Sequence, residues 1–99
     1  MKKKAQHSSE NVFRDLGFSP EEAANLRIRA DLMVRLKKLI EARGLTQAGA
    51  AELFAVSQPR VSDLLRGKID LFSIDTLVNM LGRAGVGVSL IVRPRSKVA

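Results

Sequence analysis

The sequence predicts a mainly α-helical domain that ends in a short β-strand. Apolar residues recur at helical spacing through most of the chain, and Ser, Thr and Gly stand where helices would begin and end. With 99 residues, of which 45% are apolar, the chain should form one domain with a modest core. We divide it into a disordered basic tail at 1–10, a domain at 11–93 and a basic C-terminal tail at 94–99.

The composition excludes several classes of function. The chain has no Cys, which rules out a disulfide framework, a zinc ribbon and a thiol nucleophile. Its only His is His7, in the predicted tail, so we expect no enzyme, no catalytic residue, no cofactor and no metal site. No apolar run approaches the roughly 18 residues that span a bilayer, and we therefore expect a cytoplasmic protein without membrane contact. The formal net charge of +7 alone does not choose between a nucleic acid, a membrane surface and an acidic protein as the partner.

The first strong helix signal is Ser19-Pro20-Glu21-Glu22. Ser19 can cap the helix, Pro20 suits its first position and Glu22 completes a capping box. An apolar stripe at helical spacing continues until Gly44, which should end the helix. Residues 11–18 are apolar enough to dock on a core but too short to assign.

A short helix is predicted over about 47–54, with Thr46 as its cap. Ala51 and Leu53 are the candidates to face the core. Gly49 lies in the first turn, where a glutamate would give a better capping box, and costs up to roughly 1 kcal/mol of helix propensity.

Two further helices have similar signals. Ser57 caps the first, which should end at Gly67, and Ser73 caps the second, which should continue to Gly85. The pattern then changes, because apolar residues alternate with a period of two over 86–93 and predict a β-strand.

The segment from Leu45 to Gly67 carries the functional signal. Its two capped helices of about eight residues are joined by a turn around Ala55, too short for the helices to lie antiparallel, and this predicts a helix-turn-helix. Arg and Gln on the outer face of the second helix can pair with guanine and adenine in the major groove, while helix N-termini favour phosphate. The candidate DNA-binding residues are Gln47, Ser57, Gln58, Arg60, Ser62, Asp63, Arg66 and Lys68.

Residues 45–68 resemble the helix-turn-helix of the lambda-repressor-like, Xre/Cro-type family. The similar stretches are Leu45-Thr46-Gln47, Ala50-Ala51-Glu52-Leu53, Val56-Ser57, Val61-Ser62 and Leu65-Arg66-Gly67-Lys68. The resemblance implies a lambda-repressor-like helical bundle. It assigns Gln47 to phosphate and adds Pro59 to the residues that face DNA, with Gln58, Arg60, Asp63 and Arg66. The family often has Glu at Gly49, and Gly at Ala55, where a left-handed alanine would cost on the order of 1 kcal/mol.

Further similar stretches are Leu16-Gly17-Phe18, Ala23-Ala24, Phe72-Ser73-Ile74-Asp75-Thr76-Leu77 and the predicted strand after Gly85. With them, residues 11–92 resemble a compact subgroup that includes HigA-like antitoxins encoded beside a toxin. This implies a sequence-specific transcriptional repressor of double-stranded DNA, associated with the nucleoid when bound. As an antitoxin it would repress its own operon and bind a RelE- or HigB-like toxin. A phage-type Xre regulator without a toxin and a protein-interaction module that does not bind DNA are the open alternatives.

The predicted strand raises the question of assembly. A lone strand leaves unpaired backbone groups and an apolar edge, so it should pair either with residues 11–14 or with the same strand of a second chain. We favour a homodimer on an inverted-repeat operator, since one domain would contact only one half-site. The predicted dimerisation residues are Val86, Val88, Leu90 and Val92.

Overall fold

A computed structural model describes residues 9–94. They form five α-helices, α1 (Ser9–Asp15), α2 (Pro20–Ala42), α3 (Gln47–Phe54), α4 (Gln58–Leu65) and α5 (Ile74–Arg83), with a 3₁₀ turn at Ile69–Leu71 between α4 and α5. The long helix α2 packs against α1, α4, α5 and the 3₁₀ turn, whereas α3 packs mainly against α4 and α5. The mainly α-helical prediction is therefore confirmed.

The first turns of the helices follow the sequence signals closely. The hydroxyl oxygens of Ser19, Thr46, Ser57 and Ser73 each accept the backbone N–H of the residue three positions later. At α2 the capping box is complete, because the Ser19 N–H also donates to the Glu22 carboxylate over 3.1 Å. These bonds satisfy donors that a helix cannot pair internally.

All five helices end in the same motif, a left-handed residue whose successor donates its N–H to a carbonyl in the last helical turn. The left-handed residues are Gly17, Gly44, Ala55, Gly67 and Gly85. Among residues 9–94, Ala55 is the only non-glycine residue with a positive φ, and its backbone angles are φ 59° and ψ 45°. The left-handed turn expected there is thus present, with alanine carrying the strain.

One buried core joins α2, α3, α4 and α5. Its members are Met33, Leu36, Ile40, Ala50, Phe54, Val61, Leu64, Phe72, Leu77, Met80, Leu81 and Ala84. In α3, Ala50 and Phe54 are the fully buried residues, whereas Ala51 and Leu53 are only partly buried. The residues predicted to face the core, Ala51 and Leu53, are therefore each one position away from the residues of α3 that are fully buried.

Helix α1 corrects the boundary of the predicted N-terminal tail. Residues 1–8 lie outside the described residues, but Ser9 and Glu10 already belong to α1. The turn between α1 and α2 is closed by the rings of Phe13 and Phe18, whose centroids are 6.1 Å apart in an edge-to-face arrangement. Residues 11–18 contain too few apolar positions for this helix to be assigned from sequence.

The predicted C-terminal strand is wrong. Residues 86–94 have no regular secondary structure, and the proposed partner at 11–14 is part of α1, so no strand is available in the described chain to complete a ladder. Val86 and Val88 instead lie partly buried against the core of their own chain. The residues that follow, Leu90, Ile91 and Val92, are 70%, 79% and 92% exposed. The remaining tail, 95–99, lies outside the described residues.

We predict that Ala55→Gly stabilises the domain, because glycine removes the clash between Cβ and the backbone at positive φ. A gain of about 1 kcal/mol would raise Tm by about 4–8 °C in thermal unfolding. The matched control is Ala48→Gly, at an exposed helical position of α3. There the same substitution should lower stability by up to about 1 kcal/mol. Equal effects of the two changes would contradict the left-handed turn.

We predict opposite sensitivities for two valines in the C-terminal segment. Val88→Asp should cost about 1 kcal/mol or more, because it puts a charge against the core. Val92→Asp should leave the free energy of unfolding within about 0.5 kcal/mol of wild type, because that side chain is exposed. Urea unfolding distinguishes them, and an unchanged Val88→Asp variant would show that the segment does not pack on its own chain.

Candidate nucleic-acid interface

Helices α3 and α4 pack on each other through small and branched side chains. Ala50 of α3 and Val61 of α4 are fully buried, and Val56 in the connecting turn is partly buried against the same core. The turn itself is fixed by the Val56 N–H, which donates to the Ala51 carbonyl over 3.0 Å. The relative position of the two helices is therefore set by backbone geometry and buried contacts together.

The N-termini of both helices offer backbone donors. The Thr46 hydroxyl accepts the Gly49 N–H over 3.0 Å, and the Ser57 hydroxyl accepts the Arg60 N–H over 3.2 Å. Within residues 9–94 the N–H groups of Gln47 and Gln58 have no acceptor. Such free first-turn donors, at the positive end of the helix dipole, are suited to an anionic oxygen.

Helix α4 has one polar, accessible side. Gln58 and Ser62 of α4 and its C-cap residue Arg66 recur every four residues, so they form one row along the helix, next to the buried Val61 and Leu64. Gln and Arg are the side chains that pair with base edges in the major groove. That this row contacts DNA stays a prediction.

The nine candidate residues differ in exposure. Six of them are exposed, namely Gln47, Ser57, Gln58, Pro59, Arg66 and Lys68, and three are partly buried, namely Arg60, Ser62 and Asp63. Asp63 and Lys68 are close enough to attract each other, with 3.9 Å between Oδ1 and Nζ. Because the Lys68 side chain is about half exposed, this pair contributes little to stability. It does reduce the negative charge that Asp63 would present to a phosphate.

Arg60 lies in a different environment from the other candidates. Its guanidinium lies over the ring of the buried Phe72, 4.5 Å from the ring centroid. This is the distance of a cation–π contact. The sequence placed Arg60 on the outer row of α4, whereas the structure places it at the flank of the helix, beside the loop that follows.

Arg29 is a site-supporting residue that the sequence reasoning missed. Its Nη1 donates to the carbonyls of Ile69 and Phe72 over 3.1 and 3.4 Å, and its Nε donates to Asn25 over 2.8 Å. It therefore fixes the loop after α4 to α2. In the sequence it is one of several basic residues on a long helix, and no local signal reveals a partner 40 residues away.

The described residues contain no cluster of acidic or histidine side chains that could hold a metal ion. No helix within residues 9–94 is long and apolar enough to cross a membrane.

The chain belongs to the helix-turn-helix domain family, whose family model matches residues 12–93. It is also similar to the solved structure of a protein provisionally named as an XRE-family transcriptional regulator. The two are 31% identical with a TM-score of 0.71, and the match covers 79% of this chain and 90% of the other. No curated protein matches the chain. The predicted Xre-type helix-turn-helix is confirmed at this level.

Proposed function

We propose that this chain is a sequence-specific transcriptional regulator that binds double-stranded DNA. The observation that carries the proposal is the accessible polar side of α4, with Gln58, Ser62 and Arg66 in one row that begins at the N-terminus of the helix. Membership of the helix-turn-helix family and the similarity to a protein named as an XRE-family regulator support it.

The candidate residues divide by the kind of contact they can form. Backbone N–H groups at the starts of α3 and α4, with the Gln47 side chain and Lys68, suit phosphate oxygens and position the protein without reading sequence. Gln58, Arg60 and Arg66 have the donor geometry that distinguishes base pairs. Pro59 has no such donor and serves as a rigid first-turn residue.

Affinity should depend steeply on salt. For a dimer with about eight phosphate contacts, log K should fall with log salt at a slope near −7. Fluorescence anisotropy with a duplex selected from a random pool measures this slope. Lys68→Ala should weaken binding to selected and scrambled duplexes about equally. The matched control is Lys38→Ala, an exposed lysine on the side of α2 away from its buried residues, which should leave affinity unchanged.

A salt-independent affinity would contradict binding through phosphates. Equal losses of affinity for Lys68→Ala and Lys38→Ala would show that DNA binds at a different site or non-specifically to any basic part of the surface. Association with a protein partner in the absence of any duplex binding would support the protein-interaction module instead.

We further propose a homodimer on an inverted repeat, which would hold two copies of α4 about 34–36 Å apart. The exposed apolar run Leu90–Val92 is a surface that a second copy could cover. Leu90→Asp should shift sedimentation from dimer to monomer. Leu16→Asp is the matched control, because Leu16 is also 70% exposed but lies between α1 and α2. A monomeric wild-type protein at micromolar concentration would contradict the dimer.

The antitoxin role rests on the resemblance to HigA-like proteins, and we propose a RelE- or HigB-like toxin as the partner. To test this partner, the chain is co-expressed with the product of the adjacent reading frame, and gel filtration shows whether the two proteins form a complex. A stable complex that relieves growth arrest supports the antitoxin. An adjacent product that neither binds nor arrests growth supports the phage-type regulator without a toxin.

A further inference from the structure

Arg60 has donors that the described protein does not use. Within residues 9–94 its guanidinium contacts the Phe72 ring but forms no hydrogen bond or ion pair. Asp70 lines the same hollow of about 440 Å³ and still does not pair with it. By contrast, Arg29 and Arg43 donate to backbone carbonyls. The Arg60 donors are therefore free to bind a ligand.

Stacking fixes a guanidinium without consuming its donors. The ring attracts the cation from 4.5 Å, and none of the five guanidinium N–H groups forms a hydrogen bond within residues 9–94. A stacked arginine also samples fewer side-chain conformations than a freely solvated one such as the exposed Arg66. Arg60 therefore has restricted orientation together with a full set of unpaired donors.

The ring that holds Arg60 is itself held in place. Phe72 is 1% exposed and belongs to the common core. Its carbonyl and that of Ile69 accept hydrogen bonds from Arg29, which Asn25 orients in turn on α2. The position of the Arg60 guanidinium is thus tied, through Phe72, to the longest helix of the domain.

We infer that Phe72 is a positioning residue for DNA recognition, which holds the Arg60 guanidinium ready to donate to O6 and N7 of one guanine. The inference rests on the proposed function. A planar pair of donors matches these two acceptors, and the match requires a defined orientation of the side chain. Fixing a long side chain before binding is worth about two- to twelvefold in affinity, and this gain is lost when the ring is removed.

The test measures base discrimination by fluorescence anisotropy. The probes are a duplex selected by the wild-type protein from a random pool and versions in which each G·C pair is replaced by A·T. Phe72→Leu should reduce the preference at one G·C pair about two- to twelvefold. Arg60→Ala should reduce the preference at that same pair by at least about fivefold. Combining the two changes should cause no further loss, because Phe72 acts through Arg60.

Phe54→Leu is the matched control for lost core packing. Phe54 belongs to the same core and is 2% exposed, but the Arg60 guanidinium lies over Phe72 and not over Phe54. Phe54→Leu should lower Tm in the same way but leave the preference at every base pair unchanged. If Phe72→Leu does not fold, Phe72→Met provides a more adaptable side chain of similar volume for the same measurement. Arg60→Lys, which keeps the charge without the planar donors, should lose the same preference.

Several results would overturn the inference. They are unchanged discrimination in the folded Phe72 variant, an equal loss of affinity for all duplexes, and a loss of discrimination in Phe54→Leu as large as in Phe72→Leu. Selective binding by wild type that is unaffected by Arg60→Ala would also overturn it, while leaving the proposed function in place. If wild type binds no duplex, the proposed function itself fails.

Discussion

The left-handed backbone of Ala55 directs the chain from α3 into α4, and the candidate interface depends on it. The following N–H, from Val56, closes a hydrogen bond to Ala51, after which Ser57 can cap α4. With a right-handed residue at this point the hydrogen bond to Ala51 would not form, and Val61 would lose its buried position against α3. The turn therefore couples a local backbone strain to packing and to the exposure of the polar side of α4.

Four arginines of the domain form two groups, according to whether their guanidinium groups donate to the protein itself. Arg29 and Arg43 use their donors on carbonyls of distant residues and so fix the loop after α4 and the end of α5 to α2. The guanidinium groups of Arg60 and Arg66 have no hydrogen-bond acceptor within the described residues, although the backbone N–H groups of both residues do. Both residues lie on or directly after α4. Net charge alone does not separate these groups, since much of the positive charge is committed to the fold or balanced by acids. The proposed affinity for DNA thus depends on a few uncommitted cations, among them Arg60 in the first turn of α4 and Arg66 at its C-terminal end.

The sequence predicted those parts of the fold that depend on neighbours along the chain. A cap and its N–H lie three residues apart, and a helix stop is a single left-handed position, so Ser19, Ser57 and Gly67 could be assigned without the tertiary structure. The polar row on α4 is also a local property, because it follows from helical periodicity. In contrast, α1 is a short helix that is stabilised by docking on α2. Its own sequence contains only a weak signal for a helix.

The errors have a common physical origin in tertiary contacts. A period of two predicts a strand only if another strand is available, and without one Val86 and Val88 pack singly on the core. The position of Arg60 could not be predicted because it depends on Phe72, which is brought close by the 3₁₀ turn and by Arg29 from a distant helix. Helical periodicity placed the residue correctly on α4 but could not say which way its side chain turns.

The most direct measurement of the central claim is amide chemical-shift mapping by NMR while a selected duplex is titrated into the protein. The account predicts that the largest changes occur at the starts of α3 and α4 and along the row Gln58, Ser62 and Arg66. Changes in α1 and on the outer side of α2 should be small. Large changes centred on α1, or no changes with a selected duplex, would contradict the assignment of the interface to α3 and α4.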